Sequence, residues 1–352
     1  MTIKMSDDYV LEDTEESMPE PAHVYLEGGV GILGMGAYLP EKILTNADLE
    51  KIVDTTDEWI VKRTGISERR IIAEGETTAG IAVTAAMAAL ADAGVDGGKI
   101  GMVIVATATP DSFAPATASL VQRAIGADNC AAFDLNAGCT GSLYGLIMAQ
   151  AYVKSGACDY ALVIGSEALS RVIDWKDRRT CVLFGDGAGA AVLGRKPEGV
   201  GFLASLLRSD GDNASMITIP AFSITNEDLE RRNGVKKSTV WLEGGKVMKF
   251  ASRTMSSSIC GVTAAAGFET ADLKLVVPHQ ANGRIIENAA RRLDLRDDQV
   301  FVNVNKYGNT SAASLLIALM EAVAAGRLTG GDLAVLVAFG AGLTYGAALL
   351  RW

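Results

Sequence analysis

The chain has 352 residues, of which 49% are hydrophobic, with 38 glycines and 8 prolines; this composition is typical of a large α/β protein and excludes a disordered or fibrous chain. Its net charge of -10 argues against general attraction to nucleic acid or to an anionic membrane, although it leaves room for a local basic patch. The five cysteines are odd in number and form no CxxC pair, so they favour a reducing compartment over a disulfide framework or a zinc site.

Two stretches bear on targeting and membrane insertion. Residues 1–27 are acidic and lack the basic start and apolar core of a signal peptide, so we expect a flexible acidic extension ahead of the fold. Leu333–Leu350 is uncharged and almost long enough to span a membrane, but its internal glycines predict two buried strands around a turn. The sequence therefore predicts a cytoplasmic protein without a membrane segment.

The first third of the chain alternates predicted strands and helices. We expect a strand near Val30–Gly34, a polar helical segment at Asn46–Lys62, an Ala-rich helix at Thr78–Ala93 and a buried strand at Ile100–Ala108. A second Ala-rich helix follows Pro115. The first strand contains the letters GxGxxG, but no helix begins directly after them, so they do not indicate a dinucleotide site.

The segment Ala131–Gly145 predicts a strand that delivers a thiol to the start of a helix. Alternating apolar residues form the strand, small residues permit a tight turn, and apolar residues then recur at helical spacing. Unpaired amides and the positive end of the helix dipole would lower the pKa of Cys139 and favour the thiolate. From this stretch alone, a reactive Cys139 and an ordinary buried cysteine are equally compatible with the sequence.

The second half of the chain echoes the first. Asp159–Gly165, followed by the glycine-rich GAGAAVL, resembles Asp332–Ala338, followed by GAGLTYGAALL, and charges cluster at the midpoint, Lys196–Glu198. We therefore expect one layered α/β unit built from two pseudo-repeated halves, residues 28–198 and 199–352. The active site would lie where the loops of the halves meet.

Two further polar residues follow apolar strands. Because His23 lies in the extension, imidazole chemistry would use His279, directly after a strand that ends in VVP. Asn309 lies between a predicted strand, Val300–Val304, and a helix rich in alanine and leucine. Each residue alone has an ordinary structural role open to it, as a buried histidine or a helix cap. Together with Cys139, they form a set that can carry out covalent acyl transfer without a metal or redox cofactor.

Several long motifs in the same order carry a family resemblance. NAGCTGS around Cys139, PHQAN around His279, YGNTSAAS around Asn309 and the terminal FGAGLTYG resemble the β-ketoacyl-acyl carrier protein synthase III family of the thiolase superfamily. TNADLEKIVDTTDEWIVKRTGISERR and FGDGAGAAVL extend the match over residues 30–352. The resemblance implies a thiolase-like α-β-α-β-α fold, a cytoplasmic homodimer and a role in initiating fatty acid biosynthesis.

The same resemblance implies a two-stage reaction. The Cys139 thiolate would attack an acyl-coenzyme A primer while the backbone amides of Cys139 and Ala341 form an oxyanion hole. Malonyl-acyl carrier protein would then bind, and His279 and Asn309 would donate hydrogen bonds to its thioester carbonyl during decarboxylation. The resulting enolate would attack the acyl-cysteine to give 3-oxoacyl-acyl carrier protein, with no cofactor or metal beyond the thioester substrates.

Other positions match substrate contacts of that family. Trp59 and Arg178 match the pair that sandwiches the adenine of coenzyme A, Arg63 matches a diphosphate contact, and Asn282 matches a pantetheine contact. Without the family motifs, the tryptophan would be interpreted as a packing anchor and the arginines as solvated surface. The positions that match or resemble the docking surface for the acidic carrier protein are basic: Lys249, Arg284, Arg291 and Arg292.

One position departs from the family pattern. Short-chain members carry a phenylalanine that reaches across the dimer and closes the acyl pocket, whereas this chain has Ala114 there, preceded by Phe113. Because a methyl group in place of a ring leaves more volume, we hypothesise a primer longer or bulkier than acetyl. The alternative is that Phe113 fills the space.

Rival functions are compatible with parts of the pattern. A starter-unit synthase or acyltransferase of polyketide or other secondary metabolism would use the same Cys139, His279 and Asn309. A degradative thiolase would need a second cysteine near the C-terminus, and the last cysteine, Cys260, lies outside any matching motif. A non-catalytic scaffold subunit that only shapes an acyl tunnel would not need all three polar residues.

Overall fold

The computed structural model describes residues 23–24, 28–221 and 238–352. The predicted acidic extension, residues 1–27, therefore lies almost entirely outside the described residues. Within the part of the chain that the structure describes, none of the helices combines the length and the apolar character needed to span a membrane.

Strands and helices alternate along most of the chain, which ends in a hairpin. The strands are β1 (His23–Val24), β2 (Gly28–Tyr38), β3 (Lys42–Thr45), β4 (Glu68–Ile71), β5 (Ile100–Ala106), β6 (Ala131–Leu135), β7 (Tyr160–Glu167), β8 (Gly187–Glu198), β9 (Gly201–Ser209), β10 (Ile217–Thr218), β11 (Trp241–Leu242), β12 (Leu275–Pro278), β13 (Leu333–Gly340) and β14 (Thr344–Arg351). The helices are α1 (Asn46–Leu49), α2 (Asp57–Thr64), α3 (Thr78–Ala93), α4 (Thr117–Ala124), α5 (Gly141–Lys154), α6 (Arg178–Cys181), α7 (Gly244–Ala265), α8 (Gly283–Arg292), α9 (Val304–Tyr307) and α10 (Ser314–Ala324).

Two runs of strands share one pairing pattern. In the first run, β5 pairs with β7 in parallel, β7 with β8 antiparallel, and β8 with β2 antiparallel. In the second run, β12 pairs with β13 in parallel, β13 with β14 antiparallel, and β14 with β9 antiparallel. The predicted pseudo-repeat is thus present in the backbone hydrogen bonds. The runs touch where Val30 of β2 pairs with Gly201 of β9.

Helices cover both faces of each run, which explains why the strands are nearly continuous apolar stretches. Successive residues of β5 alternate in direction, so that Val105 packs with α3 and α4 while Ile104 packs with α5 and α10. The cluster around Ile104 also contains Val277 of β12 and Leu336 of β13, which places α5 and α10 between the two runs. Helices α7 and α8 cover the outer face of the second run. The layers therefore follow the α-β-α-β-α order predicted from the sequence.

Some predicted elements differ from those observed. The single helix predicted at Asn46–Lys62 is two helices, α1 and α2, because the hydroxyl of Thr56 accepts the Trp59 amide and begins a new helix. The strand predicted at Val300–Val304 is only one β-bridge, between Val276 and Val300, followed by α9. The chain crosses from the first run to the second between β8 and β9, close to the predicted division between residues 198 and 199. The division into two halves at this point stays a prediction.

Candidate active site

Cys139 lies in the turn between β6 and α5. The preceding Gly138 has a φ of +54°, in the left-handed region that favours glycine. The hydroxyl of Thr140 donates to the Ala137 carbonyl at 2.9 Å, and the hydroxyl of Thr344 on β14 donates to the same carbonyl at 2.7 Å. These bonds fix the cysteine-bearing turn against the C-terminal hairpin.

The hairpin contacts the Cys139 turn backbone to backbone. A β-carbon built on Gly138 would lie 2.7 Å from the amide nitrogen of Ala341, and one built on Gly340 would lie 2.5 Å from the amide nitrogen of Cys139. Only glycine fits at these two positions without moving the backbone. The amide of Ala341 consequently lies beside the turn that carries Cys139.

The direction of the pKa shift of Cys139 differs from the sequence-based expectation. Burial raises the pKa of the Cys139 thiol to about 12, and the nearby charge of Glu167 also raises it, while a hydrogen bond with the Ser311 side chain lowers it. The expectation that the start of α5 lowers this pKa is therefore wrong, because loss of water around the thiolate outweighs the other effects.

His279 is completely buried directly after β12. Its Nδ1 lies 2.5 Å from the Ser314 hydroxyl, and its ring meets the edge of Phe339 at 5.3 Å between centroids. Burial lowers the pKa of His279 to about 3, so the imidazole is neutral. Its Nε2 has no hydrogen-bond partner among the described residues.

The contacts of Ser314 fit the histidine tautomer that has its proton on Nε2. Its hydroxyl oxygen accepts the Gln280 amide at 3.2 Å. If the hydroxyl proton is donated to Nδ1 of His279, both contacts are satisfied and the imidazole proton lies on Nε2. In that tautomer, Nε2 is a hydrogen-bond donor with no acceptor among the residues that the structure describes.

Asn309 is buried after α9, and its side-chain orientation is set locally. Its amide donates to the Leu183 carbonyl at 2.8 Å, and its Oδ1 accepts the Ser311 amide at 2.8 Å. Because Oδ1 is used in this way, the Nδ2 amino group remains as the donor that the side chain can present to a ligand.

One segment, residues 309–314, brings the three predicted residues together. Asn309 belongs to it, the Ser311 side chain acts on the pKa of Cys139, and Ser314 hydrogen-bonds His279. The segment belongs to the YGNTSAAS motif, in which no role was predicted for the serines. A serine in a small-residue turn has no pattern that reveals its partner, so only the fold could identify these contacts.

A buried carboxyl group, which the sequence did not indicate, also reaches this segment. Glu167 at the end of β7 accepts hydrogen bonds from the Thr109 hydroxyl at 2.7 Å and from the Ala108 amide at 3.1 Å, and the Ser311 side chain acts on its pKa. Burial raises the pKa of Glu167 to about 7 in spite of these bonds. Glu167 is thus poised to gain or lose a proton near neutral pH.

The residues predicted to bind coenzyme A lie close together. The guanidinium carbons of Arg63 and Arg178 lie 5.0 and 5.2 Å from the centroid of the Trp59 ring. The Asn282 side chain caps α8 by accepting the Arg284 amide at 2.8 Å, and its Nδ2 donates to the Arg63 carbonyl at 3.3 Å. Helix α2, the start of α6 and the N-cap of α8 therefore form one surface that carries all four predicted contacts.

The predicted docking residues are exposed on the two outer helices of the second run. Lys249 is on α7, and the three arginines are on α8, which packs against α7. Arg284 donates from Nε to the Lys62 carbonyl at 2.9 Å, and this bond connects α8 to the end of α2. It also pairs with Glu287 of the same helix at 3.1 Å. The basic positions therefore adjoin the surface around Trp59.

The predicted acyl-pocket residues lie on the loop before α4. Phe113 is 73% exposed and Ala114 is also exposed, so in the single chain neither side chain fills the interior of its own subunit. Their assignment to an acyl pocket stays a prediction.

Comparison with known proteins gives matches across both halves of the chain. The family model described as 3-oxoacyl-[acyl-carrier-protein (ACP)] synthase III matches residues 133–211. The model described as the C terminal of the same synthase matches residues 263–352. A relative from Caldanaerobacter subterraneus subsp. tengcongensis, named β-ketoacyl-[acyl-carrier-protein] synthase III, is 50% identical over 326 residues. The alignment covers 92% of this chain and 97% of the relative.

Solved structures show the same architecture. The crystal structure of 3-oxoacyl-[acyl-carrier-protein] synthase III from Aquifex aeolicus is 44% identical, with a TM-score of 0.86, and the match covers 92% of this chain and 100% of that one. The priming β-ketosynthase from the R1128 polyketide biosynthetic pathway is 34% identical, with a TM-score of 0.84 and coverage of 94% and 98%. The whole fold around Cys139 is therefore shared with condensing enzymes.

Proposed function

The chain belongs to the 3-oxoacyl-[acyl-carrier-protein] synthase III family, and from this premise we propose that it condenses an acyl-coenzyme A primer with malonyl-acyl carrier protein. The reaction is decarboxylating, gives 3-oxoacyl-acyl carrier protein and initiates fatty acid biosynthesis. The observation that carries the proposal is the neutral, buried His279, whose Nε2 has no partner among the described residues while Ser314 occupies Nδ1. An imidazole held in this way suits hydrogen-bond donation to a substrate oxygen.

The first half-reaction acylates Cys139. The sulfur attacks the thioester carbonyl of the primer, the thiol proton leaves, and the carbonyl oxygen becomes negatively charged. The amides of Cys139 and Ala341 are suited to bind this oxygen, because the two turns that carry them are in backbone contact. Collapse of the tetrahedral intermediate forms the acyl-cysteine and releases coenzyme A with a proton.

The second half-reaction uses His279 and Asn309 as hydrogen-bond donors. Nε2 of His279 and Nδ2 of Asn309 donate to the malonyl thioester carbonyl, so that the negative charge of the enolate is stabilised when carbon dioxide leaves. The enolate carbon then attacks the acyl-cysteine carbonyl and displaces the Cys139 sulfur. A histidine with a pKa of about 3 is a poor proton acceptor at neutral pH, which fits a role as a hydrogen-bond donor.

The substrate surfaces follow from the same assignment. Trp59, Arg63, Arg178 and Asn282 bind coenzyme A in the first half-reaction. The basic residues of α7 and α8 receive the acidic carrier protein in the second. A homodimer places the exposed loop that carries Ala114 against the acyl pocket of the partner subunit, and the small side chain of Ala114 leaves that pocket large enough for a primer larger than acetyl.

A polyketide starter-unit synthase is the second candidate, favoured by the likeness to the R1128 priming β-ketosynthase. The sequence identity to that ketosynthase is 34%, whereas the identity to the synthase III relative is 50%, so fatty acid biosynthesis is the better assignment. The two differ in the acceptor. If carbon dioxide is released faster from malonyl groups on a fatty acid carrier protein than on a polyketide carrier protein, the result supports fatty acid biosynthesis.

Intact-mass measurements on the purified protein test the proposal. Incubation with acetyl-, isobutyryl- or octanoyl-coenzyme A should add one acyl group, and Cys139→Ala should abolish the adduct. His279→Ala should still load the primer but lose most of the condensation with malonyl-acyl carrier protein. A wild-type protein that forms no adduct with any primer would instead support a scaffold subunit, and a strict acetyl preference would refute the large-pocket assignment.

A further inference from the structure

Arg69 on β4 is a guanidinium group enclosed within the protein, with 0% of its surface exposed. Within the described part of the chain, its hydrogen bonds go to neutral oxygens. Nη1 donates to the Leu44 carbonyl at 3.2 Å and to Oδ1 of Asn46 at 2.8 Å, and Nη2 donates to the Val182 carbonyl at 2.7 Å. Because burying a charge costs free energy, the position of Arg69 is better explained by the segments that it joins than by general stability.

Asn46 continues the connection from Arg69 to helix α2. Its Nδ2 donates to Oδ1 of Asp57 at 2.7 Å and to the Ile66 carbonyl at 2.8 Å. A guanidinium only donates, whereas a carboxylate and a carbonyl only accept, so the partners of the amide fix its orientation. Asp57 is the first residue of α2, and Ile66 lies two residues beyond its last. One buried side chain therefore holds both ends of α2.

Helix α6 is the other segment that Arg69 holds. Val182, whose carbonyl accepts from Arg69, is the C-cap of α6, and Arg178 is the first residue of that helix. β-Carbons built on Gly185 and Gly308 would lie 3.1 and 3.3 Å from the β-carbon of Arg69, so the stem of the side chain has little room to shift. The guanidinium therefore reaches α6 from a fixed base.

The contacts at the surface are poorly suited to fix the spacing of α2 and α6. Trp59 on α2 lies against Arg178 on α6, but this contact has to open if the adenine of coenzyme A enters between them. Arg178 also donates to the Asp54 carbonyl at 2.7 Å and pairs with the Asp54 carboxylate at 3.7 Å. These bonds are exposed to water and place the Arg178 side chain, not the backbone of α6. The buried bonds of Arg69 and Asn46 do not depend on the Trp59 contact.

We propose that Arg69 and Asn46 are positioning residues for the nucleotide part of coenzyme A. Their buried hydrogen bonds hold α2 and α6 at the spacing that lets Trp59 and Arg178 enclose the adenine. This role rests on the coenzyme A surface of the proposed function, to which it adds the residues that keep the surface in shape. Because the thioester is at the opposite end of coenzyme A from the adenine, loss of the spacing should weaken recognition of the nucleotide and spare the chemistry at Cys139.

Two variants break the connection at different atoms. Asn46→Asp keeps an acceptor for Arg69 but sets a carboxylate against the carboxylate of Asp57, so that α2 is released. Arg69→Lys keeps the positive charge but lacks the planar fork that reaches Asn46 and Val182 together. The double variant Asn46→Asp, Asp57→Asn exchanges donor and acceptor between the two positions and should recover part of the loss.

The measurement compares acyl-coenzyme A with acyl-pantetheine, which carries the same thioester without the nucleotide. The acyl group is the one, among acetyl, isobutyryl and octanoyl, that loads the wild-type protein fastest. Intact mass under single-turnover conditions gives the second-order rate constant of Cys139 acylation by each thioester. Both rates scale with the folded fraction, so their ratio does not depend on it. We expect each single variant to lower the ratio of the coenzyme A rate to the pantetheine rate at least about tenfold, because binding groups are displaced.

Gln299 supplies the matched control, because it is another buried amide that bridges two carbonyls. Its Nε2 donates to the Leu273 carbonyl at 2.8 Å and to the Thr270 carbonyl at 3.3 Å. Gln299→Glu makes the same chemical change as Asn46→Asp in the second run of strands. The ratio of the two rates should stay at the wild-type value in this variant.

The outcomes separate the positioning role from the proposed function. The positioning role alone is overturned if Asn46→Asp and Arg69→Lys keep the wild-type ratio, or if they slow acylation by both thioesters equally. It is also overturned if Gln299→Glu lowers the ratio as much, since the fold as a whole would then be responding. A wild-type protein that accepts neither thioester refutes the proposed function. One that accepts both at the same rate refutes the coenzyme A surface, and the positioning role with it.

Discussion

Gly340 and Cys139 share a contact that leaves no space for a side chain, since a β-carbon on Gly340 would lie 2.5 Å from the Cys139 amide nitrogen. The two residues are 201 positions apart along the chain (340 − 139) and belong to opposite halves of the pseudo-repeat. Packing of one half on the other therefore sets the position of the proposed nucleophile. The proposed oxyanion site depends on the same contact, because the amide of Ala341 follows directly.

Gly340→Ala should separate the two turns. The added methyl group meets backbone atoms of Cys139 and Thr140, which cannot move aside as a flexible side chain would. We expect Cys139 acylation to slow by roughly 100-fold, with overpacking costing about 1–3 kcal/mol of unfolding free energy. Acylation is followed by intact mass and unfolding by urea titration. Gly330→Ala is the matched control, because nothing lies within 4 Å of its new methyl group. Equal acylation rates in the two variants would contradict the argument.

Ser314→Ala should impair condensation more than acylation. Without the hydroxyl, Nδ1 of His279 loses its partner in a dry site, and the imidazole proton is no longer directed to Nε2. We expect carbon dioxide release from malonyl-acyl carrier protein to fall at least about tenfold, the range typical of losing a hydrogen bond to a buried group. Loading of Cys139 should stay near the wild-type rate.

A buried serine elsewhere provides the comparison for Ser314. The hydroxyl of Ser256 on α7 donates to the Ser252 carbonyl at 3.0 Å within the helix. Ser256→Ala should therefore leave both half-reactions unchanged. If Ser314→Ala slows acylation and condensation by the same factor, Ser314 supports the site as a whole and not the His279 tautomer.

The sequence predicted the layers of the fold better than the contacts within the site. Strands buried on both faces, such as Leu333–Gly340, are recognisable because every residue is apolar or small. The Cys139 turn is recognisable because glycine follows a strand and precedes a helix. The contacts of Ser314 and Glu167 depend on which atoms meet after folding, and neither residue stands in a pattern that encodes its partner. The pKa of Cys139 was mispredicted because burial, which opposes the effect of the helix, is a tertiary property.

Glu167→Gln should change how stability depends on pH. The pKa of Glu167 is about 7 in the folded chain against an ordinary value of 4.5, so between these pH values the folded state holds a proton that the unfolded state has lost. Wild-type stability therefore falls as pH rises from 4.5 to 7, a loss of about 3 kcal/mol that glutamine does not suffer. Urea titrations of both proteins at pH 5 and pH 8 measure the difference.

The buried His279 does not disturb this comparison. Its pKa is lowered to about 3 from 6.5, so the unfolded state binds more protons between these values and stability falls as pH decreases through them. This dependence has the opposite sign and is the same in both proteins, so it cancels in the difference. Parallel stability curves for wild type and Glu167→Gln would show that Glu167 is not a proton-retaining group.

Arg284→Glu should weaken the carrier-protein step. Because the chain has a net charge of -10, attraction of an acidic carrier has to come from a local basic surface, which acts within roughly 10 Å at moderate salt. We expect the KM for malonyl-acyl carrier protein to rise about tenfold at low ionic strength and less at high salt, while acylation by acyl-coenzyme A is unchanged.

The contacts of Arg284 supply the strictest check on this docking surface. Its Nε bonds the Lys62 carbonyl, so the substitution also removes a tie between α8 and the helix that carries Trp59. Arg284→Gln removes the charge without reversing it and should raise KM by a smaller factor. Arg195→Glu, on β8, changes the net charge equally and should leave KM near the wild-type value, because the effect of charge is local. If Arg284→Glu slows both half-reactions equally, Arg284 supports the coenzyme A surface and does not receive the carrier protein.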